Sequence, residues 1–448
     1  MGTINNIGNI LDPTGSGANQ IDVQSLLDQA IAADQAPIEA LQQQQNTIQN
    51  QTSALQSLET DIQSLQTAAT ALSSSTGAIN SFTATSSNPN VLTASADTTA
   101  ASGTHTITIS SLATTSSYYS AAVASSSTTV GTGSFQIAIG SNAPITITVD
   151  NTDNTLNGLA AAINQKNAGV TANVINDANG ARLAILSNTS GTSGDLIISN
   201  NTTGLGFTKA VTGANASLNV DGVPISSTSD TVSGVIPGVT LNLLGAAPST
   251  PVTVSLAPDG NQATTAINTF VSAWNKVIQD LNSEFDVTSS GTGGGPLESD
   301  STVRNAQEQL LAAISYSITG NNGLVNLESI GVNSNNDGTL SVDSATLSNA
   351  LNNNYGSVQN LLQGASGLAT NLGTVLNQLT DPSQGSITLD LQGLSQTSQS
   401  LGQQISDMQA QLTTQEQTLT AQFAQVQTAL QELPLLQQQI TAQLGSLG

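Results

Sequence analysis

Cysteine is absent from this 448-residue chain, which excludes a disulfide framework and any thiolate metal site. Histidine occurs once, as His105, so a Ser-His-Asp triad and a multi-histidine metal site both lack partners; the imidazole reads as a solvent-facing strand residue. Aromatic residues make up 2% of the chain and charged residues 8%, with a formal net charge of −24. The five basic residues, Lys166, Arg182, Lys209, Lys276 and Arg304, are scattered through its middle. Phosphate neutralisation needs clustered Lys and Arg, so nucleic acid is excluded as a partner, and an anionic membrane surface is disfavoured for the same reason. No apolar run reaches the roughly 18 residues of a membrane-spanning helix. No basic segment followed by an apolar one opens the chain, so export would use a route that reads an uncleaved terminus.

The remaining chemistry is equally thin. Asp150, Asp153, Asp177, Asp195, Asp221 and Asp259 sit where turns favour Asp, without the aromatics of a sugar-hydrolysing cleft. No phosphate-cradling Gly motif precedes a Lys. Asn333, Asn335, Asp337, Gly338 and Leu340 follow the spacing of a calcium loop, but Ser344 stands where the bidentate Glu belongs, and a hairpin turn explains the same residues. The sequence therefore predicts no enzyme, no cofactor and no metal.

What is present is Ser, Thr, Asn, Gln, Ala and Gly, a composition suited to polar helices and Thr-rich β domains. The length allows two to four domains at roughly 100 to 200 residues each. One pattern dominates. In the stretch 391–447, Ile405, Leu412, Leu419, Val426, Leu433, Ile440 and Leu447 recur every seventh residue, with Leu394, Leu401, Met408, Ala429 and Leu436 filling much of the position three residues on. Near the other end Leu41, Ile48, Leu55, Ile62 and Ala69 form a matching series, joined by Leu58, Leu65 and Leu72. Each is a coiled-coil seam. A lone amphipathic helix leaves its stripe in water, so the two predict an antiparallel pair of chain ends from which the middle projects. The expected assembly seam is Leu41, Ile48, Leu55, Ile62, Leu412, Leu419, Val426, Leu433 and Ile440. It contains no Lys or Arg, Gln44 and Gln51 weaken it, and Pro434 should kink its C-terminal helix.

Residues 1–20 carry no sustained period and read as an arm that is disordered until docked. Asp22 is the expected cap of a short helix, ended by Pro37, which should open the long helix after it. From Gly77 the pattern alternates: 104–109 (THTITI), 135–139 and 145–149 read as strands, 116–133 as a loop or exposed edge, and 154–164 as a helix. Residues 170–186 form a hairpin, with Asn179-Gly180 as a type I′ turn, and Asp221-Gly222 marks another. Helix returns at Gln262, with Phe270, Trp274, Ile278 and Leu281 on its core face. A helix capped at Asp300 or Ser301, a hairpin at Asp337-Gly338, a short helix through Leu347, Leu351 and Val358, and the final helix from Leu391 follow.

Several blocks together resemble the flagellar filament cap proteins, the hook-associated protein 2 family. They are 21–68 (IDVQSLLDQAIAADQAPIEALQQQQ onwards), 217–244 (SLNVDGVPISSTSDTVSGVIPGVTLNLL), AINTFVSAWNKVIQDLNSEF with GPLESDSTVRNAQEQLLAAI, 327–354 (LESIGVNSNNDGTLSVDSATLSNALNNN) and the tail MQAQLTTQEQTLTAQFAQVQTALQELPLLQQQITAQL. Residues 145–199 also resemble a module inserted in flagellins and their relatives. The resemblance implies an α+β multidomain fold: terminal helices paired as an antiparallel coiled-coil leg, an adjacent helical domain and β-rich head domains. Its boundaries would be a disordered arm at 1–20, leg helices at 21–76 and 391–448, a head at 77–120 with 214–260, an outer head at 121–213 and a helical domain at 261–390. It further implies a ring of several copies, commonly five, at the tip of an extracellular flagellum, exported through the flagellar channel. Its partners would be flagellin, junction proteins and an export chaperone. Two other readings stay open: a surface adhesin whose heads bind glycan or mucin, and another axial or junction protein.

Overall fold

The computed structural model describes residues 23–286 and 294–445. The expected arm at 1–20, the Asp22 cap and Leu447 lie outside them. The chain opens with α1 (Val23–Ser73), then β1 (Phe82–Ser86), β2 (Leu92–Ala96), β3 (Gly103–Ser111), β4 (Thr115–Ser120), β5 (Gly133–Ile139), β6 (Ile145–Val149) and α2 (Leu156–Gln165). Next come β7 (Val170–Asp177), β8 (Gly180–Ser190), β9 (Leu196–Ser199), β10 (Phe207–Val211), β11 (Ala216–Val220), β12 (Val223–Ser227), β13 (Thr231–Ser233), β14 (Val239–Leu243) and β15 (Ala247–Pro258). After α3 (Gly260–Phe285) and α4 (Ser301–Ile314), β16 (Val332–Ser334) and β17 (Leu340–Val342) make a hairpin, and α5 (Ser344–Asn353), α6 (Tyr355–Gln363), α7 (Leu368–Thr380) and α8 (Ser386–Gly445) complete the chain.

Two helix expectations need correction. Pro37 does not divide α1, which passes through it. Proline there forfeits one backbone hydrogen bond and crowds the preceding turn, but helix on both sides and a buried Ile38 beside it outweigh that loss. The final helix starts at Ser386, five residues before 391, with Ile387 fully buried, and its backbone stays helical across position 434.

The structure falls into two compact units, one built from residues up to Thr70 with Asn268–Leu347 and everything from Asn360, the other from Ala71–Ile267 with Ser348–Gln359. The second unit holds the sheets. A five-stranded antiparallel sheet runs in the order β1-β15-β3-β11-β12, and a three-stranded sheet, β13-β14-β2, shares its core around Leu92, Ile107, Ile109, Leu218, Leu241 and Val254. The alternation in THTITI is the cause: Ile107 and Ile109 point inward while Thr104 and Thr106 face water.

Between β3 and β11 the chain leaves this sheet and builds a second β module from β4 to β10. Its sheets are β10-β4-β8-β7 and β6-β5-β9, and α2, capped by the Thr155 hydroxyl, lays Leu156, Leu159 and Ile163 over a core of Phe135, Ile137, Leu183 and Ile185. Strand β4 falls in the stretch expected to be loop or edge, yet it pairs with β8 on one side and β10 on the other. The reason is chemical. Its inward positions include Ser116 and Ser120, both fully buried, which look like loop residues until their partners are known. The Ser116 hydroxyl donates to the Val211 carbonyl at 3.1 Å, and the Ser120 hydroxyl donates to the Ala121 carbonyl while accepting the Leu183 N–H, each at 2.8 Å.

The two hairpin turns differ. Asp221 and Gly222 both have positive φ (52° and 87°) and connect the paired Val220 and Val223, as a type I′ turn requires. At the other hairpin Asp177 pairs with Gly180, so Ala178 and Asn179 form the loop, and only Gly180 has positive φ. The hairpin is present, but its turn is not the expected type I′.

The buried hydroxyl of β4 carries a testable consequence. Ser120→Ala strands the Leu183 N–H away from water and should lower the stability of the β module by about 1 to 3 kcal/mol. Ser117→Ala, on the other face of the same strand, should change it by no more than about 0.5 kcal/mol. Urea unfolding of the two variants reads the difference directly.

Candidate assembly interface

The terminal helices meet within the first unit, and their contacts define a register. Gln415 Nε2 donates to Asp34 Oδ2 at 2.7 Å, and Thr388 Oγ1 donates to Glu59 Oε1 at 3.3 Å. Between these, a methyl group at Gly402 would lie 3.3 Å from Gln45 Nε2. Pairing 34 with 415, 45 with 402 and 59 with 388 means that α1 and α8 run antiparallel, residue i of α1 facing a residue near 448 minus i. A groove lined by Leu41 and Gln44 from one helix and Gln396, Thr397, Ser400, Leu401 and Gln404 from the other agrees with this register.

The register changes which residues are partners. Leu41, Ile48, Leu55 and Ile62 face the stretch of α8 from about residue 386 to about residue 407, where Ile387, Leu401 and Ile405 are buried. They do not face Leu412, Leu419, Val426, Leu433 and Ile440, the other half of the seam expected from sequence. Leu412 and Leu419 are half-buried and fall opposite the first turns of α1, whereas Val426 is 45% and Ile440 53% exposed. The side chain of Leu433 lies outside the described residues, as do the residues 1–22 that the register would set opposite the end of α8. Heptad spacing sets which stripe of a helix is apolar, but any shift by whole heptads preserves the stripe, so the offset had to come from the fold.

The two ends of the α1 stripe also differ. Leu41 and Ile48 are half-buried, while Leu55, Leu58, Ile62 and Leu65 are almost wholly enclosed. The inner part is enclosed because more helices meet it there. Lys276 on α3 reaches Asp61 on α1 at 3.2 Å and pairs with Asp280 one turn on, and Gln66 bonds Asn377 on α7. Asp280 and then Asp61 raise the Lys276 pKa, while burial and the Asp280 carboxyl push Asp61 above its usual range despite the lysine. Leu55 and Ile62 thus belong to a helical core.

The other candidates resolve into structural roles. His105 Nδ1 lies 2.6 Å from Asp221 Oδ2, whose second oxygen accepts the Thr106 N–H. His105, foremost, and that amide hold the Asp221 carboxyl below its usual range. Asp150 and Asp337 each accept both the hydroxyl and the amide of the Thr two residues on, which lowers their pKa values likewise. Asp153 accepts the Asp150 amide, Asp177 pairs with Arg182, Asp195 with Lys209, and Asp259 accepts amides at the start of α3. In the loop with calcium-like spacing the backbone oxygens are already committed: the Gly338 carbonyl accepts Trp274 Nε1 at 2.9 Å, and the Asp337 carbonyl accepts Asn282 Nδ2 at 2.8 Å. That loop is a hairpin docked on α3. Among the described residues no three His, Cys, Asp or Glu side chains converge as a metal site would need, and no helix is long and apolar enough to cross a membrane.

Comparison with known proteins follows this architecture. The family model for the flagellar hook-associated protein 2 N-terminus matches residues 19–116, and that for the C-terminus matches 213–434. The gap between them coincides closely with the β4 to β10 module. The B-type flagellar hook-associated protein 2 of Pseudomonas aeruginosa is 29% identical over 396 residues, covering 82% of this chain and 83% of that protein. The flagellar hook-associated protein 2 of Salmonella typhimurium is 26% identical over 339 residues, covering 68% and 70%. Among solved structures, the D1-D2-D3 domains of the flagellar cap protein FliD from Escherichia coli superpose with a TM-score of 0.61 at 28% identity, covering 76% of this chain and 99% of that one.

The register separates two kinds of seam residue that heptad spacing treats alike. Leu55→Ala should cost about 2 to 5 kcal/mol, as truncation in a closed core does. Val426→Ala, at an exposed position, should stay within about 0.5 kcal/mol. Denaturant midpoints of the full chain measure both.

Proposed function

This chain belongs to the flagellar hook-associated protein 2 family, and from that premise we propose that it caps the distal end of a flagellar filament, where it promotes the folding and insertion of exported flagellin and prevents its loss. The observation that carries the reading is the antiparallel register of α1 and α8, which ties the two ends of the chain together and leaves 82–258 free to form β-built heads. A protein of this build acts by assembly, and the role involves no covalent chemistry. Several copies form a ring, five in the reading favoured here, with the terminal helices as coiled-coil legs and the heads as a plate. In domain terms, 21–76 and 391–448 make the leg, 261–390 the helical part, 77–120 with 214–260 the inner head and 121–213 the outer head. The subunit reaches its place through the flagellar channel, delivered by an export chaperone, and meets junction proteins before the filament grows.

A second reading, an adhesin role for the heads, draws on one feature. The register of β7, β8, β4 and β10 sets Ile175, Leu186, Tyr119 and Val211 on the same exposed face of the outer sheet, with the Arg182 guanidinium 5.6 Å from the centre of the Tyr119 ring. An exposed aromatic beside a guanidinium is the kind of platform on which a sugar ring stacks.

A deletion strain separates the readings. Loss of a cap should spill unpolymerised flagellin into the medium and abolish swimming, with both restored by the wild-type chain. A strain that swims normally and loses only surface attachment would remove the cap reading. Leu419→Asp, which puts a charge on the half-buried stripe of α8, should yield secreted subunits that fail to cap; normal filaments with that variant would refute the leg as the working part.

A further inference from the structure

Near the foot of α8, Asp390 has a carboxyl oxygen, Oδ2, that is buried and has no hydrogen-bond partner among the groups around it. The carboxyl of Asp300, the N-cap of α4, lies within hydrogen-bonding reach of Asp390, and the Thr302 hydroxyl alongside favours the charged form. One oxygen of Asp300 is already committed, accepting the Thr302 and Val303 amides at 2.8 and 3.2 Å. Two carboxylates cannot bond to each other, because both are acceptors only. The orphan oxygen finds a partner when it carries a proton and donates it to Asp300.

We propose that Asp300 and Asp390 form a proton-operated latch between α4 and α8, holding the foot of the last helix down while they share one proton and straining that contact when the proton leaves. The pair stands on geometry: a buried, unpartnered oxygen beside a second carboxyl, at a place where α4 and α8 pack together. The groups that face it are few. From α4 they are Asp300 itself and Arg304, whose guanidinium is turned away onto the Phe285 ring and the Glu298 carbonyl. On α1, Glu59 accepts the Thr388 hydroxyl; Thr388 and Asp390, two residues apart on α8, point to opposite sides of that helix, so this acid does not face the pair. The α7 sequence, Leu368–Thr380, contains no charged residue. No cation on these elements neutralises the pair, and Ile387, fully buried, keeps the helix seated when the latch opens, so the consequence is loosening and not release.

Burial, and after it the Asp300 carboxyl, push the Asp390 pKa up from 3.8 to about 6. In this direction the folded state holds its proton more tightly than the unfolded chain. The latch is therefore fully closed below about pH 4, and its contribution is lost as pH rises through about 6. Asp390 is half-buried, and water screens part of the interaction, so the opening equilibrium of the α8 foot should change by about tenfold across that window.

The test compares the full wild-type chain with Asp390→Asn and Asp300→Asn, the latter keeping an N-cap residue on α4. Hydrogen exchange of residues 386–400 is followed from pH 4 to 7.5 and corrected for the intrinsic rate. In the wild type, protection should fall about tenfold more than the intrinsic trend between pH 4.5 and 7; in both variants this extra fall should disappear, leaving each more protected than wild type at pH 7.5. Equal effects of Asp390→Asn at both ends of the range, or no extra fall in the wild type, would overturn the latch. Loss of the pH dependence in Asp390→Asn but not in Asp300→Asn would show burial alone at work and remove the pair. The wild-type series alone overturns the latch if it shows no extra fall, even where a variant folds poorly.

Discussion

The structure depends on the contact between its two ends. A polypeptide whose first and last long helices run antiparallel side by side commits everything between them to leave and return at one place, and the β units are built within that excursion. Among the described residues no ion pair crosses the contact. Gln415 to Asp34 and Thr388 to Glu59 are hydrogen bonds from uncharged donors, and the remainder is apolar burial by residues such as Leu55, Ile62, Leu401 and Ile405. Such a join gains little from Coulomb attraction and is correspondingly insensitive to salt.

With five cations against 29 acids, the chain uses hydroxyls and backbone amides where other proteins use ion pairs. The buried serines of β4 satisfy sheet groups from inside the core, and Asp-x-Thr turns at 97, 150 and 337 hold their carboxylates with the neighbouring threonine. The chain's few cations are all the more committed: Lys276 is held between two acids from different helices, and Arg182 and Lys209 each pair with one acid. Where acids meet without a cation, as Asp300 and Asp390 do, the proton takes its place. The chain thus carries, at the foot of its last helix, a contact that answers to acidity.

The sheet elements were legible where side chains alternate between water and core. THTITI announced β3, and Asp221-Gly222 announced a turn whose two positive φ angles the structure contains. β4 was illegible because buried Ser116 and Ser120 are indistinguishable from loop serines until Val211, Ala121 and Leu183 arrive from elsewhere in the chain. The hairpin at Asp337-Gly338 was legible as a turn, but only the approach of Trp274 and Asn282 shows that it docks on α3 and that its carbonyls are occupied.

For the terminal helices, the sequence by itself determined that there would be two apolar stripes, on which faces they lie, and that neither could remain in water, because helical periodicity is a local property of the chain. It carried the family resemblance as well, through residues scattered over most of the length. The tertiary structure decided the offset between the stripes. A heptad repeat is degenerate under whole-heptad shifts, so Leu41 can face Ile405 or Leu412 with equal local merit, and the choice falls to where α8 begins and to what else, α3 and α7 above all, crowds against α1.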